Sequence, residues 1–543
     1  DKALYNSKNK GKNCVSEAGK LDEGVIAEYN LLSTLPCPAF IGREEVLNDL
    51  MKSLEAVKNG ENAFVFLEGE VGVGKTSILK ELEHRNENDF LAFFTVLVET
   101  DRLQPYKPII ALLKKTISSE KNIFDTAALK IKPEYRPELK TIFPELSSDI
   151  AGESGKENRK LLFEGMVSLL TAVSEIKPII ILLDEIQNID EGSMEIITCL
   201  SESDSGRVLT AAALRSSYLD ILSTHHPRLE KFLSEIAGTP NFSHQPLVPF
   251  NQTLTNNLLD YILPNRGPLP AFERKIYELT RGNPLFIEEI VKNFILRKKI
   301  SIKDKKLFLE ELKPEDWPKM LDEVIMDNLV RLDQSTVQMV NQAAVMGRQI
   351  DLKVLKEVTN RNEGETLDIV DKAKHARLIK ETDPAKTDNF TFINQRIQEI
   401  AYQSIDEETK QELHQQVGQA TETVYQDNLE AELPSLVYHY SKAGNETKAA
   451  EHGYRLEEVA GKLFRSAEAT EYFEHGRMIV RSKIKEAITP LPENLNPTLR
   501  EVFRGLSAAA KNMRLYPEGS QLITNAFGSL LQSLNTIFKQ IDK

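Results

Sequence analysis

The 543-residue sequence has only three cysteines, Cys14, Cys37 and Cys199, widely spaced and without a CxxC pair. That argues against a disulfide framework or a zinc site and points to a reducing, cytoplasmic or cytosol-continuous compartment. No apolar run approaches the roughly 18 to 20 residues of a membrane helix. The longest aliphatic run, Ile179 to Leu183, suits a buried strand, and no membrane span is expected. The chain begins Asp1-Lys2-Ala3, with neither an initiator Met nor an apolar signal region, which suggests processing or a piece of a longer chain. Positive charge is in deficit, with a net charge of −14. Nucleic-acid binding is driven by phosphate neutralisation and goes with a basic field, so no nucleic-acid partner is expected. A guanine-reading Asn-Lys-x-Asp element is missing too, which counts against a GTPase.

The hydrophobic share of 41% and the charged share of 28% are ordinary for globular protein. Length alone suggests roughly three to four domains. Residues 1–38 are polar and end in Thr34-Leu35-Pro36-Cys37-Pro38, which reads as a linker or arm. From there to about 250, helical patterns alternate with strand candidates. The helices are Glu44 to Val57, Ser77 to His84 and Leu161 to Ile176; the strands are Ala63 to Glu68, Phe90 to Val98, Ile179 to Leu183 and Arg207 to Leu214. Such alternation predicts a parallel sheet covered on both faces.

Beyond 250 the strand-like runs thin out. Residues 251–318 read as a helical subdomain. Residues 319–408 suit a winged-helix-like unit, with a strand pair near Leu378–Glu381 and Asn389–Phe392. Residues 409–543 are nearly all helical, and Ala449, Ala450, Ala460, Ala467 and Ala469 mark close helix contacts in a repeat-like, tetratricopeptide-like stack. Protein partners are expected there, with self-association a further option.

The sharpest motif is Gly69-Glu70-Val71-Gly72-Val73-Gly74-Lys75-Thr76, a full GxxxxGK[ST] between a strand and a helix. The glycines Gly69, Gly72 and Gly74 let several N–H groups turn inward as an anion nest, and the helix that begins with Ser77 aims its positive end at phosphates. Lys75 is placed to reach the β and γ phosphates and Thr76 to ligate Mg²⁺. Asp184 ends an apolar strand and is the expected second metal ligand; Glu185 is the candidate base that polarises the attacking water. Arg215, at another strand's C-terminal end, is a candidate γ-phosphate sensor or equally a surface residue. Residues 39–250 therefore read as a P-loop ATPase domain with ATP/ADP and Mg²⁺ as ligands. Arg281 to Phe286 by itself reads as a Gly-Asn-Pro turn. The basic stretch Lys292, Arg297, Lys298, Lys299, Lys303, Lys305 and Lys306 reads as a solvated helix end and loop rather than a docking patch.

In order along the chain stand Phe40-Ile41-Gly42-Arg43-Glu44, the phosphate loop, Leu183 to Asp190, Arg215, and Arg281 to Glu289. Together they resemble a STAND-class, AAA-related P-loop ATPase module, of the kind found in the C-terminal region of soluble adenylyl cyclases and in maltose-regulator-like proteins. Gln342 to Arg348 resembles the family's winged-helix "AAVLGR" segment, and Leu436 to Phe473 resembles its tetratricopeptide-like continuation. The resemblance implies that Arg43 lies near the adenine or ribose and that Pro284 contacts the base from the helical subdomain. The family often has two Asp where this chain has Asp184-Glu185, and Trp where it has Asn188, which leaves the hydrolysis rate open. It further implies a slowly hydrolysing, ATP-binding signalling switch, with no cyclase activity expected from this chain alone, since residues 1–38 are too short for a cyclase catalytic domain.

A small-molecule kinase fits poorly with the long helical tail. A DNA-reading activator fits poorly with only four basic residues from Lys511 onward (Lys511, Arg514, Lys539, Lys543). A scaffold that binds ATP without turning it over stays open as the alternative.

Overall fold

The computed structural model describes Leu35, Cys37 and residues 40–146, 159–203, 206–219, 221–222, 226–264, 266–303, 306–383 and 386–463. Cys14, Ala467, Ala469 and the basic residues from Lys511 onward lie outside these, as does the side chain of Ala460.

Helix α1 (Glu44–Lys58) buries Leu47, Leu50, Leu54 and Val57 on one stripe. Strand β1 (Ala63–Gly69) then leads through the glycine-rich turn into α2 (Lys75–Asn86). β2 (Leu91–Val96), α3 (Lys107–Ser119), α4 (Lys121–Lys130), α5 (Arg136–Ile142) and α6 (Arg159–Ile176) follow. β3 (Ile179–Asp184), α7 (Glu191–Glu202), β4 (Val208–Leu214), α8 (Ser216–Leu219), α9 (Pro227–Ala237) and β5 (Phe242–Leu247) complete the α/β part. The sheet order is β2-β3-β4-β1-β5, with every neighbouring pair parallel. Alternate residues feed two separate cores. Phe64, Phe66, Ile179, Ile181 and Leu183 pack on one face, and Val65, Leu67, Ile180 and Leu182 on the other, as the two-residue strand period requires. Covering both faces explains why β3 and β4 are buried throughout and largely apolar.

Strand β5 is absent from the strands expected from sequence. Its Phe-Ser-His-Gln-Pro-Leu is polar because it lies at a sheet edge with much of its surface exposed, and Pro246 is tolerated where no further strand needs its N–H.

The helical subdomain comprises α10 (Gln252–Ile262), α11 (Pro270–Thr280) and α12 (Pro284–Leu296). Its core gathers Leu35, Leu258, Ile276, Phe286 and Phe294, with Trp317 packed against it. A hairpin of β6 (Ile300–Lys303) and β7 (Lys306–Leu309) follows, where a solvated helix end and loop were expected. Lys292 corrects that expectation further. It is buried, pairs with Glu289 at 3.2 Å and donates to the Arg377 carbonyl at 3.1 Å. Arg297 is also committed, to Asp316 at 2.9 Å.

The winged-helix-like unit has α13 (Leu321–Val330), α14 (Gln334–Met346), β8 (Gln349–Asp351), α15 (Leu352–Thr359), α16 (Glu363–His375), β9 (Ile379–Asp383), β10 (Lys386–Phe392) and α17 (Gln395–Gln403). Its small sheet runs β8-β10-β9, antiparallel, over a core that includes Val340, Leu355, Phe390 and Ile400. The chain then continues as α18 (Glu407–Val424), α19 (Leu433–Lys442) and α20 (Glu446–Leu463). Gly418 lets α18 approach α19, because a Cβ there would sit 2.9 Å from the Tyr440 ring. Among the described residues no helix is long and apolar enough to cross a membrane.

Candidate functional site

Parallel strands order their C-terminal ends along one edge of the sheet, and ligands of open α/β sheets bind beyond that edge. Here that edge carries the phosphate loop after β1, Asp184 and Glu185 at the end of β3, and Arg215 just past β4. β1 and β3 flank β4, so loop and acid face each other across one strand.

The loop glycines have distinct reasons. Gly72 and Gly74 have φ of 85° and 102°, a region that L side chains avoid. Gly72 is also crowded, since a Cβ would come 2.6 Å from Leu285 Cβ and 2.7 Å from Asn283 Oδ1. Gly69 lies against the Leu247 carbonyl, where a Cβ would sit 2.9 Å away. Helix α2 starts at Gly74 with no side-chain cap, which leaves its first N–H groups to the loop's interior. Ser77 sits in its first turn and is exposed.

Lys75 is buried and donates to the carbonyls of Gly69 at 2.7 Å and Glu70 at 3.0 Å. Burial pushes its amine below the ordinary lysine value, opposed by the carboxylates of Glu185 and Asp184. Thr76 Oγ1 donates to Asp184 Oδ2 at 2.5 Å. Burial, reinforced by neighbouring Glu185, pushes the Asp184 carboxyl upward; Thr76, Arg348 and Lys75 oppose the shift. The converging hydroxyl and carboxylate suit a divalent cation shared with a polyphosphate. No group of three or more His, Cys, Asp or Glu that would hold a metal by itself occurs among the described residues. The donor set therefore fits Mg²⁺ carried in by nucleotide, with Thr76 and Asp184 as the residues that would hold it.

Glu185 adopts φ 58°, unusual for a residue with a side chain. Both its oxygens are engaged: Arg215 Nε lies 3.2 Å from one and 3.0 Å from the other, and Gln187 Nε2 donates to the latter at 2.5 Å. Arg215 Nη1 also pairs with Glu399 of α17 at 2.7 Å. Burial alone would lower the Arg215 value, but the two carboxylates outweigh it and raise it further above the arginine norm.

Arg43 is buried at the head of α1 and bonds main chain on two sides, to the Val73 carbonyl at 2.9 Å and the Val248 carbonyl at 2.7 Å. Its guanidinium lies 4.8 Å from the Phe250 ring centroid. It thus ties the loop to the segment after β5. Pro284 opens α12, but its neighbours make the contacts with the phosphate loop. Asn283 Nδ2 donates to the Val71 carbonyl at 2.8 Å, and Leu285 N donates to the Gly72 carbonyl at 3.3 Å. In the sequence Asn283 reads as an ordinary turn residue; the signal that marks it is an Asn directly before a Pro-led helix, where its Oδ1 accepts from Phe286 N. Glu399 carries no such signal, because a carboxylate on a helix surface looks like any solvated acid.

Residues 39–210 match the AAA ATPase domain family. The chain carries a P-loop ATPase module of the AAA type. An uncharacterised protein of Rhizobium meliloti (strain 1021) is 22% identical to the chain over 461 residues, 80% of this chain and 42% of that protein. The chain thus spans about two fifths of the length of the curated relative it matches. Among solved structures, a STAND protein with a tetratricopeptide repeat sensor from Pyrococcus horikoshii is similar at TM-score 0.42 and 14% identity, over 92% of this chain and 65% of that one. The Walker-type ATPase of Pyrococcus abyssi is similar at TM-score 0.31 and 16% identity, over 67% and 96%. The ORC1 protein of Aeropyrum pernix, solved in complex with DNA, is similar at TM-score 0.31 and 14% identity, over 69% and 96%. The phosphate loop and the strands β1 and β3 all fall inside the matched 39–210 segment.

Proposed function

We propose that this chain is a STAND-class switch that binds Mg-ATP between its α/β domain and helical subdomain and transmits nucleotide state to the winged-helix-like unit and the helices beyond. The observation that carries the reading is the pair of hydrogen bonds from Asn283 and Leu285 to the Val71 and Gly72 carbonyls. The subdomain touches the phosphate loop itself, so a ligand that reshapes the loop acts on α12 directly. A ligand shifts such an equilibrium only through contacts that differ between two states, and the γ-phosphate is the natural source of the difference between ATP and ADP. In this scheme the loop N–H groups and Lys75 bind phosphate, and Thr76 with Asp184 holds the metal, which supplies charge neutralisation on the phosphates. Arg215 senses the γ-phosphate, and Glu185 orients water for slow hydrolysis. The partner is proposed to be protein, met through the helical C-terminal region, in the cytoplasm and without nucleic acid. The likeness to the regulatory module of soluble adenylyl cyclases belongs to the same proposal, with cyclic AMP production left to other chains or segments.

A second reading, a nucleotide-bound scaffold without turnover, is favoured by the engagement of both Glu185 oxygens. Calorimetry with ATP, ADP and GTP, followed by phosphate-release assays, separates the two. Wild type is expected to prefer ATP to GTP, Lys75→Ala to lose binding, and Glu185→Gln to bind without hydrolysing. Tight binding without turnover in wild type selects the scaffold, and no binding at all sinks both.

A further inference from the structure

We propose that Glu399, on the winged-helix-like unit, determines the selectivity of the site between ATP and ADP by holding Arg215 in competition with the γ-phosphate. This rests on the nucleotide reading above.

The geometry is a line of charges with alternating sign. Asp322 on α13 holds Arg396 on α17, at 2.9 Å to Nε and 2.5 Å to Nη2. Arg396 Nη1 holds Glu399 Oε2 at 3.1 Å. The other oxygen of Glu399 holds Arg215 Nη1 at 2.7 Å, and Arg215 Nε bonds Glu185. Arg215 and Glu185 are buried and the Glu399 side chain is 19% exposed, so water only partly weakens the central links. Arg396 orients Glu399 by fixing the oxygen that does not face Arg215.

Arg215 stands at the end of β4, between the phosphate loop on one side and the acid end of β3 on the other. An anion entering beside Lys75 and Thr76 meets a guanidinium already paired on two sides. ADP brings nothing that reaches for Arg215, so the contact with Glu399 survives. The γ-phosphate of ATP carries more negative charge than a carboxylate and offers several acceptor oxygens. It competes with Glu399 for the charge of the arginine. ATP binding therefore works against the winged-helix contact, and ADP binding does not. When Arg215 turns away, Glu185 loses one of its two partners and gains a free oxygen. The same exchange that reports the third phosphate thus also loosens the candidate base.

The neutral isostere tests this. On the full chain, Kd for ATP and for ADP is measured by calorimetry for wild type and Glu399→Gln, with thermal melts alongside. The expected result is a rise in ATP-over-ADP preference of about tenfold, within the usual range of coupling between two sites. In an Arg215→Gln background the same change should leave the ratio alone. If Glu399→Gln does not fold, Glu399→Asp decides the matter; the shorter carboxylate should hold Arg215 less well and move the ratio in the same direction by a smaller factor. A shifted melt with an unchanged ratio overturns the proposal, because a purely structural ion pair predicts that outcome. So does an equal ratio shift with and without Arg215. Wild type that binds neither nucleotide overturns the nucleotide reading and this inference together, whereas binding with an unchanged ratio overturns this inference alone.

Discussion

The two sides of the candidate site are built differently. On the phosphate-loop side the determinants are consecutive residues held by main chain: Gly69 to Thr76 run on from the last residue of one strand, and Asp184 ends another. On the winged-helix side a single side chain, Glu399, reaches Arg215 through an ion pair that a second ion pair orients. Main-chain construction tolerates little change, since backbone angle and close packing fix each position. Ion-pair construction is adjustable, since one atom of difference between Glu and Gln removes the charge without removing the shape. A switch benefits from both, with a rigid grip on the phosphates and a contact of variable strength next to it.

The hardest blow to main-chain packing is expected from Gly282→Ala, in the helical subdomain just before the residues that bond the phosphate loop. Gly282 has φ 77°, and a Cβ there would lie 1.8 Å from the Phe250 carbonyl oxygen. Strain and overpacking together should cost roughly 3 kcal/mol. The only Trp, Trp317, lies in the same subdomain core against Phe272 and Phe294, so its fluorescence reports the melt. An unshifted melt would break the claim that main-chain packing fixes these positions sterically.

A pH titration of local stability extends the comparison to the last helices. His414 and His439 face each other through their Nδ1 atoms at 2.9 Å, and Tyr402 meets the other His414 nitrogen at 2.9 Å. Burial is the main cause that pushes His414 down to about 4 and His439 to about 3, from an ordinary 6.5. The unfolded segment therefore takes up more protons than the folded one below 6.5. Stability is full above that value and falls as the pH drops toward 4. At pH 5 the loss should be about 2 kcal/mol per imidazole. Asp190, which caps α7 and accepts from Tyr106 N, has the opposite sign. Burial raises it from 3.8 to about 6, so the folded form holds the extra proton and acid favours it in that window. Hydrogen exchange at pH 7 and pH 5, corrected for intrinsic rates, should show α18 and α19 loosening while α7 does not. Equal behaviour would remove the contrast.

The smallest effect is expected from Asn283→Ala. Loss of the cap should cost about 1 kcal/mol. The same change also removes the bond to Val71, so ATP affinity should fall with it. A lowered melting temperature with intact affinity would make Asn283 a cap and nothing more.

The difference in construction also explains what the sequence made legible. A motif is legible when its residues are neighbours in the chain, and the phosphate loop, the Asp184 strand and the alternation of strands and helices all meet that condition. The strand pair of the winged-helix-like unit, expected near Leu378–Glu381 and Asn389–Phe392, lies within β9 and β10 or beside them for the same reason. Strand β5 was hidden because an edge strand has only partial apolar pressure on it. The burial of Lys292 is hidden because a lysine in a basic run gives no hint of the Glu289 carboxylate and Arg377 carbonyl that receive it. Glu399, Arg396 and Asp322 were hidden because their meaning comes from Arg215, on a different domain and far along the chain. Arg348 of the winged-helix-like unit stands in between: it ends a recognisable segment, but nothing in that segment indicates that its charge acts on Asp184.

Asn283 uses the two ends of one amide for two tasks: Oδ1 holds the first turn of α12, and Nδ2 holds the phosphate loop. An amide is rigid and flat, so the two attachments cannot move independently. The tilt of α12 and the curvature of the loop are then one mechanical coordinate, like two gears on a single shaft. A cross-link that immobilised α12 would freeze the loop's shape as well, and whatever pulls on the far end of that helix would be felt at the phosphates.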